Sequence, residues 1–226
     1  MDNPRLLDIL ADEVRRLRVL AGGDLDVPVP TCPGWTVRDL VEHVARGFRT
    51  VVGKEADPVD PTPVEALDQA YGAATSAFVE RPDRFWIRRM AQEAAIHRFD
   101  AELALGTPIT PFPEDFAVDA IGEMLDVFLR RETHTWPQDY AADLTEWDGH
   151  WMRIDGWRVS VHPLGVDVAP AGPEPAVSDD AAATVRGAPG SVLLWLYNRG
   201  GDVSVSGDLQ RIAQVKRLLT TAMNAT

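Results

Sequence analysis

MAQEAAIHRFD, residues 90–100, sets Glu93 and His97 four residues apart. On an α-helix that spacing is one turn, so both side chains leave the same face. Trp86, Met90, Ala94, Ala101 and Ala104 share this face by helical spacing and read as an inward stripe. A carboxylate and an imidazole turned into a protein interior are costly unless something pairs with them. Either they bond each other and a third group, or they hold a metal ion.

Upstream, a second helical stretch carries His43 beside the apolar stripe Val37, Leu40, Val41, Val44 and Phe48. Its start is well signalled. Thr36 reads as the N-cap, Asp39 as a short form of the capping-box acid, and Trp35 with Leu40 as the hydrophobic staple. Two histidines and a glutamate from two helices make a three-ligand set, the number that a catalytic zinc site uses while leaving a position open.

Helical periodicity extends outward from this pair. Helices are expected from about Asn3 to Ala21, from Thr36 to about Val52, over Val64–Glu80, over Arg84–Leu105 and over Glu114–Arg131. The proline-bearing stretch Ala56–Pro63 must be a loop. Short connections between successive helices imply an antiparallel bundle, whose facing helices can share an ion. The pattern changes after about Thr135. WMRID, WRVSVHP, AATVRG and DVSVSG read as four strands, Gly190–Tyr197 as a short helix, Leu209–Thr221 as a closing helix, and Ala169–Asp180 as loop. The expected fold class is therefore α plus α+β. An antiparallel four-helix bundle over residues 1–135 precedes a small α+β domain over residues 136–226.

Composition excludes several roles. The 226 residues include 22 basic and 35 acidic side chains, a net charge of −13, which argues against a nucleic-acid surface or an anchor on anionic lipid. Cys32 is the only cysteine, so neither an internal disulfide nor a thiolate-rich metal cage can form. No basic-then-apolar leader opens the chain and no apolar run has the length of a membrane span; the expectation is a soluble cytoplasmic protein.

Three blocks carry a resemblance. TCPGWTVRDLVEHV at 31–44, RRMAQEAAIHRFDAE at 88–102 and TVRGAPGSVLLWLYNR at 184–199, the last followed by VSVSGD, resemble the mycothiol-dependent maleylpyruvate isomerase family in the family's order. The resemblance implies a DinB-like four-helix bundle followed by a sterol-carrier-like α+β domain. It implies a metal triad at His43, Glu93 and His97, the positions that spacing selects independently, with zinc as the usual ion. It also implies mycothiol as thiol cofactor, places the acid of HRFDAE at Asp100, and makes Arg199 a catalytic candidate that could reach a carboxylate substrate or the thiol. The segment between His43 and Glu93 lacks a Trp-containing stretch found in many relatives, so the substrate does not follow from the resemblance.

The activity implied is addition of a metal-activated thiolate to an electrophilic or anionic small molecule, with cis–trans isomerisation as the outcome. Two other readings stay open: a mycothiol S-transferase, in which the thiol remains on the product, and a non-catalytic small-molecule-binding or regulatory protein. Asp100 is either an acceptor for a ligand imidazole or the partner of Arg38 or Arg98. His134, His150 and His162 have no partners at ligand spacing and read as surface or hydrogen-bonding residues. Trp35 and the other tryptophans read as packing, and Cys32 as structural.

Overall fold

The computed structural model describes residues 1–53, 62–172 and 181–225. The proline-rich loop expected at Ala56–Pro63 lies almost wholly outside the described residues, as does most of the Ala169–Asp180 segment. The chain divides into two compact units, Met1–Phe112 and Pro113–Thr226. This division places the fifth helix with the strands, whereas a boundary at residue 135 groups it with the bundle.

Among the described residues the first unit is four helices: α1 (Asn3–Leu20), α2 (Val37–Val52), α3 (Pro63–Glu80) and α4 (Arg84–Leu105). Local chemistry sets their ends. Asp2 caps α1 by accepting from Arg5 N. Thr36 and Asp39 form a reciprocal capping box on α2, and Thr62 and Glu65 repeat it on α3. Asp83 caps α4, and Gly106, at φ +64°, closes it in the left-handed conformation that a β-carbon disfavours. α1 packs on α4, and α2 packs on both α3 and α4.

α4 departs from the single inward stripe expected of it. Every residue from Ala94 to Glu102 is buried. Polar positions are therefore buried along with apolar ones, and each needs partners. Arg98, fully buried, donates through Nε to Glu13 at 2.7 Å and through Nη1 to Glu102 at 2.8 Å and to the Thr110 carbonyl at 2.7 Å.

The second unit begins with α5 (Glu114–Glu123), continues as a π-helical segment over Met124–Arg131, and ends the run with one α-helical turn, α6 (Glu132–Thr135). The sequence pattern gives a continuous α-helix here, because an apolar stripe does not distinguish the two registers over two turns. Five strands follow in the spatial order β3-β2-β1-β4-β5: β1 (Met152–Ile154), β2 (Trp157–His162), β3 (Gly165–Pro170), β4 (Ala183–Gly187) and β5 (Val203–Gly207). β1 and β4 pair in parallel and the other neighbours antiparallel. β3 corrects the expectation of four strands: its Ala169 and Pro170, expected in a loop, pair with Arg158 and Trp157. Proline is tolerated because β3 is an edge strand. α7 (Pro189–Leu196) and α8 (Leu209–Ala225) complete the unit; α8 turns Ile212, Val215, Leu218, Leu219 and Ala222 inward. Thr133 on α6 accepts from Val166 N at 3.0 Å, tying the helical run to the start of β3. No helix among the described residues is long and apolar enough to cross a membrane.

Candidate metal centre

The capping box at Thr36 sets the start of α2, and so the direction in which His43 leaves it two turns later. That direction is toward Glu93 and His97 on α4. Glu93 Oε1 lies 2.7 Å from His43 Nε2 and 3.2 Å from His97 Nε2. One candidate ligand atom from each of the three residues lies within 4.8 Å of the others. Their side chains are 31%, 12% and 9% exposed in the order His43, Glu93, His97, so the set is shielded yet open on the His43 side.

The atoms facing away from this point are also held. Arg89 donates to Glu93 Oε2 from one turn earlier on α4. His97 Nδ1 lies 3.0 Å from Asp100 Oδ2, and the fully buried Asp100 also accepts from Thr31 Oγ1 at 2.6 Å. Cys32 Sγ lies 3.6 Å from the same Asp100 Oδ2. Arg98, the alternative partner considered for Asp100, is engaged with Glu13 and Glu102. Trp35 stands against both imidazoles, its ring centroid 4.8 Å from that of His43 and 6.0 Å from that of His97.

The electrostatics follow from this geometry. Burial opposes ionisation of Glu93, but the charges of Arg89 and His97 and the hydrogen bond from His43 outweigh it and hold the carboxyl well below its usual range. Burial likewise opposes protonation of His97. Glu93, with hydrogen bonding to Asp100 and Cys32, overcomes that penalty and raises the imidazole well above its usual value. His97 is thus held between two carboxylates that favour its charged form; as a metal ligand it would bind through Nε2, with Asp100 holding the proton on Nδ1. His43 differs in having, among the described residues, no carboxylate behind its ring: its Nδ1 lies 3.4 Å from Nη2 of the exposed Arg46.

Two imidazole nitrogens and one carboxylate oxygen, each supported from behind on Glu93 and His97, are a donor set suited to a divalent transition metal. Position in the chain concealed much of the support. Thr31, Cys32 and Trp35 lie about fifty residues before α4 in sequence, and the one available signal was their place directly before the α2 cap. Trp35 and Cys32, read as packing and structural residues, border the cluster.

Arg199 is in the second unit, where Nη1 donates to the Tyr197 carbonyl at 3.0 Å and the guanidinium lies 5.4 Å from the Tyr197 ring centroid. His134 and His162, read as lacking ligand partners, meet across Asp167 in the second unit.

Residues 6–84 match the mycothiol maleylpyruvate isomerase N-terminal domain. The matched residues hold most of α1, all of α2 and α3, and His43, while Glu93 and His97 lie beyond them on α4 of the same unit. The likeness of fold to that isomerase extends through the second unit. A crystal structure of the mycothiol-dependent maleylpyruvate isomerase superposes with a TM-score of 0.55 at 16% identity, covering 91% of this chain and 93% of that one. No curated protein matches the chain in sequence.

Proposed function

We propose that the chain is a mycothiol-dependent, divalent-metal enzyme that isomerises an electrophilic, anionic small molecule about a cis double bond. The convergence of His43, Glu93 and His97 on one point carries the reading, and the domain family supplies the thiol. When bound, zinc and mycothiol would supply a thiolate nucleophile near neutral pH, able to add reversibly to an activated double bond.

The chain's own residues divide the remaining work. His43, Glu93 and His97 hold the ion, Glu93 offsetting part of its charge. Asp100 keeps the His97 tautomer that leaves Nε2 available. Arg89 binds the oxygen of Glu93 that faces away from the histidines and limits how much negative charge the site presents. Trp35 forms an apolar wall that keeps water from one side of the imidazoles. Arg199 is the proposed contact for the substrate carboxylate. A guanidinium matches that group with two parallel donors, and an acidic chain needs a placed cation to attract an anion.

Elemental analysis of chelator-free protein, followed by assay with mycothiol and candidate cis-configured electrophiles, tests this. One zinc per chain in this site, loss of that ion in His43→Ala, Glu93→Ala and His97→Ala, and turnover that requires mycothiol are expected. Full turnover by the metal-free wild type would overturn the proposal. Mass analysis of the product separates the isomerase from a transferase, because only a transferase leaves the thiol attached.

A further inference from the structure

The second unit contains another convergence of metal-binding groups, outside the isomerase-like site. His134 is on α6, His162 ends β2, and Asp167 is on β3. His134 Nε2 is 3.3 Å from one oxygen of Asp167 and His162 Nε2 is 3.4 Å from the other. The two imidazole centroids are 5.5 Å apart, and one candidate ligand atom from each residue lies within 4.8 Å of the others. We propose that His134, His162 and Asp167 form a second divalent transition-metal site, which ties α6 to the β2–β3 hairpin.

Three observations support it. First, 3.3 and 3.4 Å are long for hydrogen bonds to a carboxylate. Taken singly, each is close to the roughly 3.3–3.4 Å expected between two donors about 2.0–2.1 Å from one zinc ion, with the carboxylate turning one oxygen to each imidazole. Second, His162 Nε2 is shielded from solvent and has no hydrogen-bond partner among the described residues, which leaves a buried polar nitrogen aimed at the cluster. Third, the backbone makes room for the ring of His134. A β-carbon at Gly165 would come within 2.8 Å of its Cγ and Nδ1, so glycine at the start of β3 lets the imidazole lie against the strand.

Two imidazoles and one carboxylate suit zinc, copper or nickel better than magnesium or calcium, which favour all-oxygen ligands. His134 is 39% exposed and Asp167 69%, so an ion and its remaining water ligands have access without rearrangement of the core. The bond it would make is structural: it joins the end of the long helical run to an edge hairpin already linked to that run by Thr133 and Val166. The proposal does not depend on the site at His43, Glu93 and His97.

Equilibrium dialysis of the untagged, full-length chain at micromolar free zinc tests it, with elemental analysis of the bound metal. The wild type should hold about two ions per chain, and His162→Ala or Asp167→Asn about one, since each variant lacks one of only three ligands. His97→Ala should likewise hold about one, and His97→Ala combined with His162→Ala about none. Zinc uptake by His162→Ala and Asp167→Asn equal to that of the wild type would overturn the proposal, whatever the bundle binds. An independent measurement uses the wild type alone: on cobalt(II) titration the ring resonances of His134 and His162 should shift or broaden along with those of His43 and His97. Unchanged His134 and His162 signals at saturating cobalt would also overturn it.

Discussion

The two histidine–carboxylate clusters use nearly the same donors in opposite settings. The bundle cluster is enclosed by α2 and α4, and its outward-facing atoms are held by Asp100 and Arg89, with Thr31 behind Asp100. The cluster on the sheet edge is exposed, and what orients it is the packing of His134 on Gly165 and the partial shielding of His162. The difference teaches where binding energy can be converted into chemistry. A shielded, braced set can hold an ion and its charge in a fixed relation to a reacting group, whereas a solvated set can hold an ion but gives it little control over charge.

The largest expected effect probes what α4 requires to keep polar groups buried. Glu13→Ala should destabilise the protein by about 3 kcal/mol or more, because it strips a partner from the fully buried Arg98. Asp167→Ala in metal-free protein should change stability by no more than about 0.5 kcal/mol, as for other exposed substitutions. Denaturant titration of the two variants checks this, and equal losses would erase the distinction between the buried polar groups of α4 and the exposed carboxylate of the sheet edge.

Removing the brace without the ligand comes next. Asp100→Asn should weaken zinc binding by about 10–100-fold while keeping all three ligands, the range seen when a partner of a ligand histidine is lost. The raised pKa of His97 adds a sign. Below that pKa the ring is protonated and zinc must displace the proton, so affinity should rise with pH until the pKa is passed. Competition titrations across pH read both effects, and pH-independent binding in this range would contradict them.

Arg199→Ala asks whether the second unit contributes charge to the reaction. We expect kcat/KM to fall about tenfold, equivalent to roughly 1.4 kcal/mol, with zinc content unchanged and only partial recovery in Arg199→Lys. Wild-type kinetics in Arg199→Ala would move the substrate contact elsewhere.

A further contrast concerns a half-buried cation in the second unit. Lys216 donates to the Trp195 carbonyl, lies 4.4 Å from the Trp195 ring centroid, and burial lowers its pKa from 10.5 to about 8. Between pH 8 and 10.5 the unfolded chain therefore binds more protons at this residue than the folded one, so this residue's contribution makes stability rise with pH across that window. Thermal unfolding should show that slope in the wild type and a shallower one in Lys216→Met. Identical slopes would remove Lys216 as its source.

Much of the fold was legible in local sequence. Thr36 with Asp39, Asp83 and Gly106 mark helix ends through contacts spanning only a few residues, and the observed α4 begins and ends where periodicity places it. β3 was not legible, because GVDVAP resembles the proline-rich loop that follows and becomes a strand by pairing with β2. The π-helical register over Met124–Arg131 was hidden for a similar reason: Met124, Leu125, Phe128 and Leu129 make an ordinary helical stripe. For the candidate site, the spacing of Glu93 and His97 and the stripe beside His43 named the three donors. Their surroundings, Trp35, Thr31 and Arg89, were not evident from that spacing.

The sequence by itself determined features set by neighbours along the chain: which segments are helical, where they start, and that Glu93 and His97 share a face. These depend on contacts at three and four residues, which a helix makes wherever it lies. Tertiary structure alone decided what those faces meet. It buried every residue of α4 from Ala94 to Glu102, placed Thr31 on the buried Asp100, and brought His134 and His162 to opposite oxygens of Asp167. Such contacts join residues on different elements, and no periodicity of a single element records them.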